Sequence, residues 1–428
     1  MANLFQLLHR YRTAIGVLIL TACIQGGVLI SQFLSAFFLT PNQVGVIRTV
    51  ESILSIIVLG TSVGAPTLAI REIAALRDDA ERAQLLKRLI CMEIIVGSLV
   101  VVVLLLTRGL LSGAMVHYVA LIAGVALLSN TVRVIAAFAQ GTQTASEFSV
   151  RVVVLTCFAI SVVCLLSWSF GVGGWVVGRY LGESAVLIGM LLGVRHYFHG
   201  TGGINRQVLP NWHVISLGIT ANLALFVRLL CDNLPILALA AAKVPTDKIG
   251  FFGLASLVLM VPNLLLAVTM QVELPRLVSQ LHTPALIRER FNKLVRNMLG
   301  MAVLFFFLVL AVWIINREWL RLTYTPAINA LFMMSFVLPL RAITLSIGTV
   351  ITALGKYRVS VYVNIIEVII TGAFAYPLAK YFSVDGVVLL FVAGAVVSLL
   401  LHLGALKLSG LLVLLGYQRS SGRADASH

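Results

Sequence analysis

The sequence predicts an all-α polytopic membrane protein: about twelve transmembrane helices in two parallel six-helix lobes around a central cavity. Three observations carry that prediction. Of the 428 residues, 60% are hydrophobic and only 11% charged, with a mean hydropathy of +1.03, whereas a soluble domain carries about 25% charged residues. Apolar runs follow one another at the roughly 20-residue length of a helical crossing. The Lys and Arg residues also gather in alternate loops.

The elements follow in order. After the basic start MANLFQLLHRYR, an apolar run covers 13–38. It is too long for the core of a signal peptide and no small-x-small site closes it, so it reads as an uncleaved first span. Spans at 46–70 and 89–107 flank the charged stretch REIAALRDDAERAQLLKR (71–88). Spans at 116–139, 152–170 and 174–194 complete a first half, the last two separated by a short glycine-bearing turn. The stretch RHYFHGTGGINRQVLPNW (195–212) is the best linker, and the histidines at 196, 199 and 213 read as residues of one polar loop without ligand spacing. The second half holds spans at 213–241, 250–273, 297–315, 327–353, 358–378 and 386–414. Domain bounds follow: a first lobe over 1–194, a cytoplasmic linker over 195–212, a second lobe over 213–415 and a disordered cytoplasmic tail over 416–428. Helices are the only spanning element that fits, because a barrel shows short alternating segments instead.

Twenty of the 31 Lys and Arg fall at the termini and even-numbered loops, six in the odd-numbered loops. That asymmetry places both termini in the cytoplasm. The net charge of +15 is thus a matter of topology and anionic headgroups; no basic block with interleaved aromatics suggests nucleic acid. The loop segments 71–88 and 276–296 have Leu and Ile spacing that suits short amphipathic helices at the membrane surface, with a solvated connector as the plainer reading.

Three pairs of segments suggest an internal duplication. TPNQVGVIRTV resembles VPTDKIGFFGL and sets Gly45 against Gly250; AQGTQTASEF resembles ALGKYRVSVY and sets Gly141 against Gly355. FGVGGWVV resembles FSVDGVVL and sets Phe170 against Phe382 and Gly174 against Gly386. Offsets of 205, 214 and 212 are close to half the chain. Six helices per half is an even number, so the halves share one orientation, and two such lobes support alternating access.

Five arginines fall inside spans: Arg48, Arg133, Arg179, Arg228 and Arg341. A charge at the bilayer centre costs about 2.5–3.5 kcal/mol on insertion scales, so these side chains face the protein interior or water. Arg48 with Glu51, Arg179 with Glu183, and Arg228 with Asp232 lie three or four residues apart and can neutralise themselves on one helix face. Arg133 and Arg341 have no acid within a turn. Either Glu93 and Glu367 pair with them across helices, or they line a cationic cavity for an anion such as phosphate, which arginine binds bidentately. Pro235, Pro262 and Pro339 are candidate kinks. The cysteines at 23, 91, 157, 164 and 231 form no C-x-x-C pair and read as small core residues; no metal site or cofactor is expected. No catalytic or nucleotide-binding motif emerges, so uphill transport would draw on an H+ or Na+ gradient or on the cargo's own gradient.

The run VRLLCDNLPILALAAAKVPTDKIGFFGLASLVLMVPNLLLAVTMQVELPRL resembles the start of the second half of polysaccharide exporters, the O-antigen (Wzx-type) flippases of the multidrug/oligosaccharidyl-lipid/polysaccharide (MOP) superfamily. Asp232, Gly250 and Pro275 match the pattern there, and Phe252 stands where a Tyr is common. The segments FFLTPNQVGVIRTVESILSIIVLGTSVGAPTLAIREIA and PLAKYFSVDGVVLLFVAGAVVSLL look like the first and last hairpins of the same family. The resemblance implies a bacterial inner-membrane flippase, not an enzyme. Its cargo would be undecaprenyl-pyrophosphate-linked oligosaccharide of the O-antigen or capsule type, moved to the outer leaflet. On that expectation Arg48, Arg133, Arg179, Arg228 and Arg341 contact the pyrophosphate or acidic sugars, and Glu51, Glu183, Asp232 and Glu367 serve gating or ion coupling. The chain acts as a monomer among membrane lipids, with a polysaccharide polymerase as protein partner. An ion-coupled multidrug exporter of the same superfamily, or a polytopic glycosyltransferase or polymerase, are the alternatives.

Overall fold

The computed structural model describes residues 15–16, 19–76, 78–107, 114–142, 144–198, 212–278, 284–320, 324–354 and 357–408. Most of the linker (199–211) and the whole tail (416–428) lie outside them. Twelve helices carry the described chain: α1 (Ile19–Ser35, with a π turn at Ala22–Gly26), α2 (Pro41–Thr61), α3 (Ala65–Ala75), α4 (Asp79–Thr107), α5 (Ala114–Gly141) and α6 (Ala145–Phe198), then α7 (Trp212–Ala241), α8 (Thr246–Val278), α9 (Pro284–Ile315), α10 (Thr325–Ser335), α11 (Val337–Ala353) and α12 (Tyr357–Leu408). No strand occurs among the described residues.

Two of these helices are too long to be one crossing. A 54-residue helix would reach about 80 Å, against a hydrocarbon core of about 30 Å. Both reverse at a single residue: Gly171 in α6 (φ 60°, ψ −135°) and Ser383 in α12 (φ 55°, ψ −134°). The arms then run back antiparallel, as their contacts show. In α6 a Cβ on Gly178 would meet Val163, one on Gly182 would meet Ala159 and one on Gly193 would meet Phe148. In α12 Gly394 faces Thr371, and the Ser398 hydroxyl reaches Glu367. Among the described residues eight helices are long and apolar enough to cross a membrane and the bent pair α10–α11 makes a ninth; with each hairpin counted as two crossings and the shorter α1 added, they reach the twelve the sequence predicts.

The reversals lie 212 residues apart, the offset at which FGVGG matches FSVDG. The sequence repeat is therefore a repeat of structure. It is sharpened by Gly174 and Gly386, whose added Cβ atoms would strike the carbonyls of Leu166 and Leu378, again 212 apart. Glycine suits the reversal because positive φ strains a side chain that carries a Cβ, by about 1–3 kcal/mol. Ser383 bears that strain, and its hydroxyl has no hydrogen-bond partner among the described residues. Ser383→Gly is expected to raise the thermal midpoint, by about 1 kcal/mol of stability; a lowered midpoint would contradict the assigned backbone.

Local chemistry places the other breaks. Pro41 opens α2, and Thr40 and Gln43 cap it reciprocally, Gln43 N–H donating to Thr40 Oγ1 at 3.4 Å and Thr40 N–H to Gln43 Oε1 at 3.1 Å. The span expected over 46–70 is broken at Val63 and Gly64, both with positive φ, where Gly64 lies against the Gly218 backbone. Nor do the charged stretches 71–88 and 276–296 form separate surface helices. Asp79–Leu89 is the start of α4, with Ala83, Leu86 and Leu89 buried; 284–296 is the start of α9, with Ile287, Phe291 and Leu294 buried. Their apolar stripes pack on neighbouring helices, so the spans run on past the membrane.

The chain divides into two compact units: Met1–Ala240 with Pro245–Leu254, and Ala241–Val244 with Ala255–His428. In the first unit α7 packs along α2 and α3. Ser62 Oγ and Asn222 Oδ1 are 3.3 Å apart, and Asn222 donates to the Leu59 carbonyl at 2.9 Å.

Candidate functional site

Within the first unit two apolar clusters enclose a polar layer. One contains Leu86, Leu89, Val134, Ile135, Val186 and Met190; the other contains Ile47, Val50, Leu54, Val125, Ala126 and Val176. Between them, on consecutive turns of α2, α4, α5 and the second arm of α6, lie Arg48, Glu51, Glu93, Asn130, Arg133, Arg179 and Glu183. Charges at this depth persist only where they meet one another.

Arg179 is the hub. Its Nη2 lies 3.4 Å from Glu51 Oε1 and its Nη1 3.4 Å from Glu183 Oε1, with the guanidinium almost fully buried. The i,i+4 pair expected on one helix is present, and α2 adds a second carboxylate. Arg48, 3% exposed, donates from Nη1 to Gln32 Oε1 at 2.6 Å and interacts electrostatically with Glu51. Arg133 is half-buried and lies within electrostatic reach of Glu183, Glu51 and Glu93, and of the like charge on Arg179. Although it has no acid on its own turn, folding brings it three. Glu93 is 0% exposed, and neither carboxylate oxygen has a hydrogen-bond donor among the described residues. Its neighbour Asn130 spends its amide on the Val58 carbonyl and Thr61 Oγ1, both at 2.9 Å.

Three arginines and three carboxyl groups thus lie in one layer, with Arg179 bridging Glu51 and Glu183. Beside it, a cavity of about 40 Å³ is lined by Cys23, Gly27, Ser31, Thr156, Arg179 and Glu183. It has room for one or a few waters and no more. A sugar does not fit in this cavity.

The remaining candidates lie elsewhere. Arg228 and Asp232 form their expected pair on α7 at 3.7 Å, both about a quarter exposed. Arg341 on α11 stacks over the Phe391 ring of α12, 5.1 Å from its centroid. Glu367 is buried in the α12 hairpin and accepts from Ser398 Oγ at 2.8 Å, one turn from buried His402. The helices α7 and α8 run on through Pro235 and Pro262, whereas α10 and α11 meet at a 43° bend just ahead of Pro339. The cysteines correct an expectation: Cys231 is buried, but Cys91 and Cys157 are exposed. An apolar thiol is tolerated on the outward face of a membrane helix as well as in its core. No cluster of three metal-ligating side chains occurs among the described residues.

The residues that sequence reasoning missed are uncharged or isolated: Gln32, Asn130 and His402. Asn130 was legible in principle, because it sits three residues before Arg133 and so shares its helix face. Gln32 reaches Arg48 only through the fold.

The described chain is a multi-pass helical bundle with two repeated hairpins and buried arginines. The family described as "Polysaccharide biosynthesis protein" matches residues 14–282, more than half of the chain, and the chain belongs to that family. No curated protein matches it by sequence. Among solved structures it is similar to a multidrug resistance MATE family transporter of the MOP superfamily in an inward-facing conformation, at a TM-score of 0.72 and 16% identity, covering 96% of this chain and 100% of the other. The same family's outward-facing conformation gives 0.64 at 14% identity, covering 96% and 97%. A MOP superfamily transporter from Pyrococcus furiosus, described by the reverse polarity of its binding pocket, gives 0.68 at 14% identity, covering 94% and 96%. At these identities the likeness is one of fold. The chain is thus a multi-pass helical protein of the polysaccharide biosynthesis protein family that shares the fold of MOP superfamily transporters.

Proposed function

We propose that this chain is a flippase that carries undecaprenyl-pyrophosphate-linked oligosaccharide from the cytoplasmic to the outer leaflet of the bacterial inner membrane by alternating access. The observation that carries the reading, beside the family, is the buried arginine–carboxylate chain of the first unit. A pyrophosphate brings at least two negative charges, and Arg133 and Arg179 are the groups suited to it. An arriving anion takes over an arginine from Glu51, Glu93 or Glu183. The released carboxylate then takes a proton or Na+, since an uncompensated buried charge is costly. Substrate and coupling ion are linked by that exchange. A second reading, an ion-coupled multidrug exporter, rests on fold likeness to the multidrug transporters.

In a strain lacking the gene, lipid-linked repeat units are expected to accumulate on the cytoplasmic leaflet and surface polysaccharide to disappear. Normal surface polysaccharide in that strain would end the proposal. Within it, Arg133→Ala is expected to lower export by about tenfold, the equivalent of 1.4 kcal/mol. Arg228→Ala combined with Asp232→Ala, which removes both members of a pair already a quarter exposed, should have a smaller effect on the same export assay.

A further inference from the structure

The repeat that pairs Gly45 with Gly250, whose backbones touch, continues into the helices that follow. ERAQLLKR (81–88) in α4 and ERFNKLVR (289–296) in α9 match at an offset of 208. Ala83 and Leu86 are buried in α4, as their counterparts Phe291 and Leu294 are in α9. The match is therefore one of packing as well as of letters.

The two helix starts then part company. In α4, Arg82 donates from Nε and Nη2 to the Leu76 carbonyl at 3.0 and 2.7 Å, Leu85 packs on the apolar core and Leu89 is wholly buried. In α9, Lys293 and Asn297 stand where α4 has those two leucines, and both are exposed. With Leu286, Glu289 and Arg290 of the same helix and Glu273 of α8, they line a cavity of about 200 Å³, against about 40 Å³ beside Arg179. All six belong to the second compact unit. Packing alone would keep leucine at both positions, as α4 does.

The lining carries both signs of charge. Arg290 Nη1 lies 3.4 Å from Glu273 Oε2 and so bridges α9 to α8. Glu289 and Lys293, one turn apart, form no ion pair among the described residues. A ligand with negative charge alone would meet two cations but also two carboxylates; a ligand that joins a cation to its anion suits both. Depth narrows the choice further. The apolar run of this helix begins at 297, which leaves Lys293 and Glu289 about 6 and 12 Å outside it along the axis. The headgroup layer adds about 5–8 Å to each side of the hydrocarbon core. The Lys and Arg distribution puts this end of α9 at the cytoplasmic face. In a zwitterionic phospholipid the phosphate sits next to the glycerol and the amine further out, the order in which Lys293 and Glu289 follow one another.

We propose that this cavity binds the headgroup of a zwitterionic, primary-amine phospholipid of the cytoplasmic leaflet. Lys293 and Arg290 hold its phosphate, Glu289 its ammonium, and the Asn297 amide donates to the glycerol ester oxygens. The bound lipid ties the end of α8 to the start of α9. The site is independent of the cargo.

The test uses the full chain in detergent with dioctanoyl phosphatidylethanolamine as the probe, read by native mass spectrometry and by the thermal midpoint. The probe should fill one saturable site and raise the midpoint. Glu289→Gln, which keeps the shape of the side chain, should weaken that binding about tenfold while leaving dioctanoyl phosphatidylglycerol bound no less tightly than before. Lys293→Leu, which restores the residue of α4, should also weaken binding of the probe about tenfold without lowering the lipid-free midpoint. Wild-type protein that binds phosphatidylglycerol or inorganic phosphate as tightly as phosphatidylethanolamine would overturn the zwitterionic ligand. Binding of phosphatidylethanolamine unchanged in both variants would overturn the site.

Discussion

Arg179→Ala is expected to destabilise the protein by about 3–5 kcal/mol and to abolish export, because it strands two buried carboxylates at once. Glu51 and Glu183 both lie 3.4 Å from the guanidinium and are themselves 12% and 15% exposed. The cavity beside them has room for only one or a few waters to compensate them. Arg179→Lys keeps the charge but not the planar fork that reaches one acid with each terminal nitrogen, so it should recover only part of the loss. The double variant Arg179→Ala, Glu183→Ala should be less destabilised than the two single losses added together, since removing both partners leaves one stranded acid in place of two. Thermal midpoints of the detergent-solubilised variants decide the matter. Strict additivity, or an unchanged midpoint for Arg179→Ala, would show that the arginine is not the hub.

The second large effect is expected at the paired hairpin glycines. Gly174→Ala forces a Cβ into the Leu166 carbonyl, and Gly386→Ala sets one 2.5 Å from the Leu378 carbonyl. Each should cost about 1–3 kcal/mol or more, as overpacking does. The first should cost more, because its contact is the closer. The decisive comparison is with Gly300→Ala in α9, where an added Cβ meets nothing within 4 Å. That change should be neutral or slightly stabilising, as glycine is a poor helix former. Equal midpoints for all three variants would remove the physical basis of the repeat.

The fold was legible in the sequence wherever one residue type answers to one physical demand. Charge scarcity and run length give the spans, and the FGVGG and FSVDG segments match because both must turn a helix back on itself within one residue. Gly45 and Gly250 match because two backbones touch there. The broken second span was not legible: Val63 and Gly64 take positive φ where Gly64 meets the Gly218 backbone, more than 150 residues away in the chain. Nor was the continuity of α4 and α9 through charged stretches, because an amphipathic stripe reads alike whether it lies on lipid or on a neighbouring helix. The site was half legible. Local spacing found Arg179–Glu183 and Arg228–Asp232, but it could not rank them. Only the fold shows that the first is buried and joined by Glu51 while the second is a quarter exposed, and that Arg133, with no acid on its own turn, comes within reach of three.

The central claim is that this chain moves a polyprenyl-pyrophosphate oligosaccharide across a bilayer with its buried arginines. The most direct measurement is reconstitution into vesicles carrying a fluorescent polyprenyl-pyrophosphate oligosaccharide in both leaflets, with a membrane-impermeant reductant added outside. Wild-type protein should expose nearly all of the label, Arg133→Ala should expose it about tenfold more slowly, and Arg179→Ala should leave the inner leaflet protected as in protein-free vesicles. Protection by the wild-type protein equal to that in protein-free vesicles would contradict the account.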